Sequence, residues 1–331
     1  MVGLDVGGTS TRAAVVTIAG QRLGTGRAGG GNPTSHGAER AAGELRAALT
    51  AALHGVDPAL VRAGVIGLAG AGRLLADPVG RAAFDQAWHE VGLRCPYAIH
   101  GDALVAYASG TASPDGTILI AGTGAIACEV RDLALYRNAD GHGWLLGDAG
   151  SGFWLGRAAV QRALADLDCR RELAPLSVLV LTELLGSPRI ADRPRDTVDT
   201  LVQVVTRRPA VELAALAPLV IRAHRDGDPA AQAIVSEAAG HLADSVARIR
   251  PSDAATPIVL GGGLLTGDTP LAEAVTATLA TRWPDAPLLR AGDGAAAAAW
   301  LAAQTLAEVD AHIATRLHRQ LMPSTDGPQD A

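Results

Sequence analysis

The sequence is poor in several residue types that define particular classes of protein. Among its 331 residues there is no lysine, 3% are aromatic, and the net charge is -6. This balance disfavours nucleic acid as the main partner. The three cysteines, Cys95, Cys128 and Cys169, are unclustered, which argues against a zinc site or a disulfide framework and favours reduced thiols.

Long apolar runs are also missing. The alanine-rich stretch 295–303 is too short to cross a bilayer, and the first residues lack the basic and apolar regions of a secretory signal. We therefore expect a cytoplasmic protein with no membrane partner. Its 48% hydrophobic and 19% charged residues are typical of globular chains, and its length suffices for two domains with a large core.

The first candidate site is a glycine-rich turn that joins two β-rich runs, 2–6 and 13–18. Adjacent glycines let backbone N–H groups converge on an anion, and Asp5 beside them can hold Mg²⁺ directly or through water. No lysine and no helix follow, so the turn is not a P-loop. An ordinary Gly-Gly hairpin is the alternative interpretation. The candidate phosphate-binding residues are Gly7, Gly8, Thr9, Ser10 and Thr11.

A second turn of the same kind joins the predicted strands 116–120 and 125–130. Duplicated strand–glycine–strand units indicate two similar domains that close on one nucleotide. A third glycine turn follows a predicted strand at 256–260 and would let backbone approach a flat group such as adenine. The candidate residues are Gly122, Thr123 and Gly124 in the second turn and Gly261, Gly262 and Gly263 in the third.

Asp102 is the candidate general base. It follows a predicted strand at 97–100 and precedes a helix, a position that faces the ligand crevice of an open α/β sheet. A carboxylate there can accept a proton from a sugar hydroxyl. The alternative is that Asp102 caps the helix.

Two further stretches carry candidate ligand contacts. The segment 24–33 is predicted to be a flexible loop in which Asn32, held out of the helical region by the following proline, aims its amide at a ligand. A turn-forming Asn-Pro pair is the alternative. In the run 141–156, Asp148 could bind sugar hydroxyls, and Trp144 or His142 could cover a sugar face. A structural turn that enters a core helix at Ser151 is the alternative there.

The remaining pattern is mostly helical. We expect a helix over 35–53, an all-helical insertion from 153 to 225, a long helix over 230–249 and a closing helix over 294–316. The acidic linker Asp226-Gly227-Asp228 is predicted to be a solvated helix cap rather than a metal site.

Together these motifs resemble the N-acetylglucosamine kinase branch of the sugar-kinase, Hsp70 and actin superfamily, also described as the BadF/BadG/BcrA/BcrD ATPase family. The resemblance implies an α/β fold of two ribonuclease H-like domains of the actin-like ATPase type, with a cleft between them and a helical insertion in the second. It implies a first domain over 1–113, completed by a helix at about 295–318. A second domain would cover 114–294, and a polar tail 319–331.

The resemblance also implies ATP and Mg²⁺ as cofactors, a sugar as substrate and a homodimer. Asp102 would act on the sugar O6, Asp5 would order Mg²⁺, the first two glycine turns would bind the phosphates and the third would border adenosine. The sugar would be lined by Asn32, Asp102, Gly141, His142, Gly143 and Asp148.

Three departures bear on the substrate. Ala149 replaces an acid that the family usually carries, Gly101 replaces an asparagine before the base, and His142 stands where tryptophan is common. The expected reaction is phosphorylation of N-acetylglucosamine at O6. A glucosamine or broad-specificity hexose kinase, an ATP-driven activator protein and a non-catalytic sugar-binding regulator are the alternatives.

Overall fold

The computed structural model describes residues 1–169 and 172–322. The chain divides into two compact units. The first contains residues 1–116, 130–135 and the described residues from 291 onward; the second contains 117–129 and 136–290. From residue 323 onward, the tail predicted for 319–331 lies outside the described residues. Among the described residues, none of the helices combines the length and the hydrophobicity that a membrane span requires.

Ten strands and fourteen α-helices make up the described chain. The strands are β1 (Val2–Val6), β2 (Thr11–Val16), β3 (Arg22–Ala28), β4 (Gly64–Leu68), β5 (Tyr97–Gly101), β6 (Gly116–Ala121), β7 (Ala125–Arg131), β8 (Ala134–Asp140), β9 (Ile258–Gly261) and β10 (Leu288–Arg290). The helices are α1 (Pro33–His36), α2 (Ala38–Ala52), α3 (Ala71–Leu75), α4 (Pro78–Glu90), α5 (Asp102–Gly110), α6 (Gly152–Asp168), α7 (Pro175–Leu185), α8 (Pro194–Thr206), α9 (Ala217–Arg225), α10 (Pro229–Ala247), α11 (Gly263–Thr266), α12 (Pro270–Arg282), α13 (Gly294–Ala303) and α14 (Ala311–Leu321). Two 3-10 helices lie at Pro58–Leu60 and Ala210–Leu216.

The two sheets have the same strand order. The first is β3-β2-β1-β4-β5, and the second, with its strands in the corresponding sequence positions, is β8-β7-β6-β9-β10. In the first sheet β1 pairs antiparallel with β2 and parallel with β4; in the second, β6 pairs parallel with β9. The predicted duplication is confirmed, as is the helical insertion, which lies between β8 and β9.

Unit one buries its central strands between helices. Val2, Leu4 and Val6 of β1 are fully buried against α2 and α4 on one face. On the other face α13 lies directly on β1, because a Cβ atom at Gly3 would fall 2.1 Å from the Ala299 nitrogen. Every residue of α13 is buried, and its small alanine side chains permit this close approach.

Unit two contains a helical core in which one carboxylate joins two helices. Asp228 is 2% exposed and accepts hydrogen bonds from Leu176 N at 2.7 Å and from Ala230 N at 2.7 Å. It therefore satisfies N–H groups at the starts of α7 and α10, which would otherwise lack partners. Asp228 is a cap as predicted, but the prediction that the cap is solvated was wrong.

The structure corrects four sequence predictions of local structure. Half of the loop predicted at 24–33, residues 24–28, belongs to β3, and β8 was not predicted at all. The predicted helix over 35–53 breaks at Gly37, whose φ is 81°, and α1 precedes it. The closing helix ends at 303 and α14 starts at 311. Strand β3 was missed because its glycines obscure the period-two pattern, although the neighbouring β2 supplies its hydrogen bonds.

Candidate active site

The first glycine hairpin links β1 to β2 and is closed from within. Gly7 N–H donates to the carbonyl of Ser10 at 2.9 Å, so this N–H is used inside the turn. The carbonyl of Gly7 accepts from Gly31 N–H at 3.0 Å, and the carbonyl of Gly8 lies 2.9 Å from Nε2 of His36. Gly8 and Thr9 are at the surface, where a ligand can reach them.

Thr11 is turned away from such a ligand. Its hydroxyl donates to the carbonyl of Gly29 at 2.9 Å, and the residue is fully buried. The hydroxyl of this predicted phosphate contact therefore holds the segment 29–31 against the hairpin.

Asp5 lies on β1 and is paired with Arg12, whose Nη2 is 2.9 Å from Oδ2 of Asp5. Burial raises the pKa of Asp5, the Arg12 guanidinium opposes this, and the nearby Asp293 adds to it. A Cβ atom at Gly294 would fall 2.7 Å from the same Oδ2, so the absence of a side chain there leaves room for the carboxylate.

In proteins Mg²⁺ usually keeps several waters and binds through one or two carboxylates plus substrate phosphates. The single carboxylate of Asp5 fits this mode of binding. An all-protein cage is absent from the described residues, which contain no group of three or more His, Cys, Asp or Glu able to hold a metal. Asp5 is the residue of unit one that would hold the ion.

Asp102 is the first residue of α5, directly after β5. The N-cap position is occupied by Gly101, and Oδ1 of Asp102 accepts a bond from Ala103 N at 3.0 Å. Burial raises the pKa of Asp102, and repulsion from the Asp5 carboxylate raises it further. A carboxylate with a raised pKa is a stronger base, which is the property that general-base catalysis requires.

Asn32 serves the local fold in the way that the alternative interpretation described. Its Oδ1 accepts a bond from Thr34 N at 2.9 Å and caps α1. A Cβ atom at Gly70 would lie 3.1 Å from the same Oδ1, which brings the glycine-rich turn after β4 next to Asn32. The oxygen is thus engaged, and Nδ2 is the amide atom that could contact a sugar.

The second glycine hairpin, between β6 and β7, is also closed by the N–H group of its first glycine. Gly122 N–H donates to the carbonyl of Gly124 at 2.9 Å. The carbonyls of Gly122 and Thr123 accept from Gly152 N–H at 2.7 Å and from Phe153 N–H at 3.1 Å. These donors are the first N–H groups of α6, which have no partner within the helix. The carbonyls of the hairpin supply their hydrogen-bond partners.

The side chain of Asp148 packs against this second hairpin. Its Oδ1 accepts from Ala125 N at 3.2 Å, and a Cβ atom at Gly124 would fall 2.9 Å from its Oδ2. Its φ of 58° is left-handed and unusual for a residue with a side chain. Burial raises the pKa of Asp148; the bond from Ala125 lowers it, Asp140 raises it, and His142 lowers it.

Asp140 is the functional candidate that sequence reasoning missed. It is 5% exposed, and its two carboxylate oxygens accept from Asp148 N at 2.6 Å and from Ala149 N at 3.0 Å. The turn 147–149 is therefore built around a second carboxylate. The feature of the sequence that could have identified Asp140 is its position directly before Gly141, at the end of strand β8, which was not predicted.

The run 141–146 forms an exposed turn. Gly141 and Gly143 have φ values of 73° and 85°, which only glycine adopts easily. His142 is exposed within electrostatic range of Asp148. Trp144 packs on Phe153 with ring centroids 5.6 Å apart, while Leu145 and Leu146 are more than 70% exposed, at 73% and 78%.

The third glycine turn belongs to the same cluster of unit two. Gly262 has a φ of 81°, and a Cβ atom there would fall 2.3 Å from the carbonyl oxygen of Ala121, the residue before the second hairpin. A cavity of about 390 Å³ opens beside Gly263. Its other lining residues are Pro218, Ile221, Arg222, Arg225, Asp226, Leu264 and Thr269. This space is large enough for a purine base.

The structure thus brings the predicted residues together in two groups. Unit one holds the first hairpin, Asp5, Asn32 and Asp102. Unit two holds the second and third glycine turns, Asp148 and the run 141–143. The chain thus contains two α/β units, each with a glycine hairpin closed by its own first glycine. This is the actin-like ATPase fold, and solved structures have the same fold.

A family model places the chain more closely. Residues 2–288 match the BadF/BadG/BcrA/BcrD ATPase family. The chain belongs to this family.

Curated relatives match part of the chain. An N-acetyl-D-glucosamine kinase of Dictyostelium discoideum is 28% identical over 201 residues, 58% of this chain and 60% of that protein. An N-acetylmuramic acid/N-acetylglucosamine kinase of Clostridium acetobutylicum is 30% identical over 146 residues, 44% of this chain and 45% of that protein. The aligned regions span less than two thirds of either relative.

Solved structures match nearly the whole chain. A candidate N-acetylglucosamine kinase from Chromobacterium violaceum has a TM-score of 0.70 and 26% identity, covering 90% of this chain and 96% of that one. A Streptomyces griseus glucokinase of the ROK family, solved with glucose and AMPPNP, has a TM-score of 0.56 and 24% identity, with 92% and 99% covered. The second likeness concerns the fold alone.

Proposed function

We propose that this protein transfers the γ-phosphoryl group of ATP to O6 of N-acetylglucosamine, with Asp102 as general base. The observation that carries this proposal is the environment of Asp102. Its carboxylate lies at the start of α5 in the unit that also holds the first hairpin, and burial together with Asp5 raises its pKa. Such a base takes the hydroxyl proton as the sugar oxygen attacks phosphorus.

The remaining residues bind and orient. Backbone N–H groups of Gly8 and Thr9 and of Thr123 and Gly124 would bind the phosphates, as nests do for anions. The cavity beside Gly263 would take the adenine. Bound Mg²⁺, held by Asp5, would neutralise phosphate charge. Because phosphoryl transfer depends mainly on positioning and charge stabilisation, these contacts supply most of the catalysis.

On the sugar side, Nδ2 of Asn32, the carboxylate of Asp148 and the turn 141–143 would contact hydroxyl and acetamido groups. The choice of N-acetylglucosamine rests on the named specificities of the Dictyostelium and Clostridium relatives and of the Chromobacterium neighbour. A glucosamine or broad-range hexose kinase would use the same site.

The test is ADP release measured against N-acetylglucosamine, glucosamine and glucose side by side, with wild type and Asp102→Asn. We expect the highest kcat/KM for N-acetylglucosamine and a loss of roughly 10²–10⁴-fold in kcat for the variant, the usual worth of a positioned base. Sugar KM should change little. A variant that keeps most of its turnover would remove Asp102 from the role of base.

A stability measurement accompanies this test. Because the folded state raises the pKa of Asp102, its ionised form destabilises the fold at neutral pH, and protonation relieves that cost as the pH falls. Asp102→Asn should therefore have a higher Tm than wild type at pH 7. The difference should shrink on acidification through the raised pKa.

A further inference from the structure

We propose that His36 is a positioning residue that sets the direction of the phosphate-binding N–H groups in the first hairpin; this rests on the proposed function of that hairpin. The contact is between Nε2 of His36 and the carbonyl oxygen of Gly8, 2.9 Å apart. A carbonyl oxygen only accepts, so Nε2 is the donor. Both the neutral tautomer with its proton on Nε2 and the imidazolium can make this bond.

The consequence follows from peptide geometry. In a planar trans peptide, the carbonyl of one residue points opposite to the N–H of the next. The bond from His36 to Gly8 O therefore directs Thr9 N–H away from His36. The bond of 3.0 Å from Gly31 N–H to Gly7 O directs Gly8 N–H away from the same segment. Two successive N–H groups are fixed on one side of the hairpin, as an anion nest requires.

The segment that supplies these two donors is itself anchored. Gly29 N–H donates to Oε2 of Glu44 on α2 at 2.7 Å, and Gly29 O accepts from Thr11. Gly30 lies so close that a Cβ atom would fall 2.2 Å from Gly8 O and 2.8 Å from Nε2 of His36. The donors of His36 and Gly31 are thus held at a fixed distance behind the hairpin.

The second hairpin has a corresponding arrangement, which supports the inference. There, too, two successive carbonyls are bonded from behind, those of Gly122 and Thr123. Both of its donors are backbone N–H groups of α6. The first hairpin uses one backbone N–H and one imidazole, so His36 stands where the other unit has a main-chain donor.

Loss of the imidazole would free the Gly8–Thr9 peptide to rotate, because glycine imposes little restriction on its backbone. Thr9 N–H would then spend part of its time turned from the phosphate. The expected loss is that of one hydrogen bond in a binding site, roughly fivefold to tenfold in affinity.

The experiment compares His36→Ala, His36→Gln and the control His54→Ala, an exposed histidine just after α2. Calorimetric titration with ATP and with adenosine needs no turnover. We expect His36→Ala to bind ATP roughly fivefold to tenfold more weakly and adenosine as wild type does, since adenosine lacks the phosphates. His36→Gln, whose amide can donate, should recover part of the loss. Added imidazole should restore ATP affinity to His36→Ala only.

The outcomes separate this inference from the proposed function. If His36→Ala binds ATP as tightly as wild type, or if adenosine and ATP weaken equally, His36 does not position the N–H groups. In either case the wild-type sugar panel and Asp102→Asn would still decide whether the protein is a sugar kinase. A general folding defect would lower Tm and weaken both ligands, and imidazole would not correct it.

Discussion

In both glycine hairpins two successive carbonyl groups accept hydrogen bonds from behind the turn, but the donors differ. In unit two, the carbonyls of the hairpin are bonded by the start of α6, which packs into the hydrophobic core of that unit. In unit one, they are bonded by a short strap, residues 29–36, through one glycine N–H and one histidine side chain. A main-chain anchor can be lost only by proline or by steric displacement, whereas a side-chain anchor can be deleted by a single substitution.

Among the changes that test this comparison of the hairpins, the largest effect is expected from a methyl group placed behind each turn. Gly30→Ala would put Cβ 2.2 Å from Gly8 O, and Gly152→Ala would put it 2.9 Å from Gly122 O. The first requires a shift of about 1 Å, which costs on the order of 100-fold in activity when it misplaces a catalytic group. The second requires less, and we expect about tenfold. Steady-state kcat/KM for ATP measures both.

Gly43→Ala is the matched control. No atom lies within 4 Å of a Cβ at this position in α2, so the alanine should stabilise the helix by about 1 kcal/mol and leave kcat/KM unchanged. Equal activities of the variants at 30 and 152 would contradict the difference between the hairpins, because the structure makes the first contact much closer.

An intermediate effect is expected from Asp140, the carboxylate that holds the turn 147–149. Asp140→Asn keeps one acceptor for the two N–H groups of the turn 147–149 and removes a buried charge. We expect a lower Tm and a sugar KM raised roughly tenfold, the usual cost of an unsatisfied buried donor. Asp199→Asn, on the exposed face of α8, is the control.

Asp140→Asn should also shift the pH dependence of sugar binding in a defined direction. Asp140 raises the pKa of Asp148, so removing its charge should lower that pKa. If Asp148 binds the sugar as a carboxylate, the acid limb of sugar binding should move to lower pH in Asp140→Asn. A limb that moves upward, or stays while KM rises, would show that Asp140 does not act on Asp148 through charge.

The smallest effect tests the strap itself. Thr11→Val removes the hydroxyl that donates to Gly29 O and leaves this carbonyl without that bond. We expect a loss of about 1–2 kcal/mol in unfolding free energy and a twofold to fivefold rise in KM for ATP. Thr11→Ser should behave as wild type. If the valine variant binds ATP normally, the strap does not depend on this bond.

Much of the architecture was predictable because it rests on local pattern. Apolar runs such as 2–6, the three glycine turns and the duplicated order of elements identify both units. The residues 24–33 were misjudged because glycine-rich strands carry little periodic signal, and only pairing with β2 makes β3 a strand. The break before α14 was missed because alanine continues to favour helix through 303.

The sequence by itself predicted two glycine turns of the type that binds phosphate, Asp5 and Asp102 as functional acids, and a family membership that the family model confirms. Only the tertiary structure decided which polar atoms already have a hydrogen-bond partner within the protein. The N–H groups of Gly7 and Gly122 close their own turns, the Thr11 hydroxyl bonds Gly29, and the Asn32 oxygen caps α1. The tertiary structure also revealed Asp140 and His36. Hydrogen bonds between residues distant in sequence have no local signature, because their partners meet only when the backbone has folded.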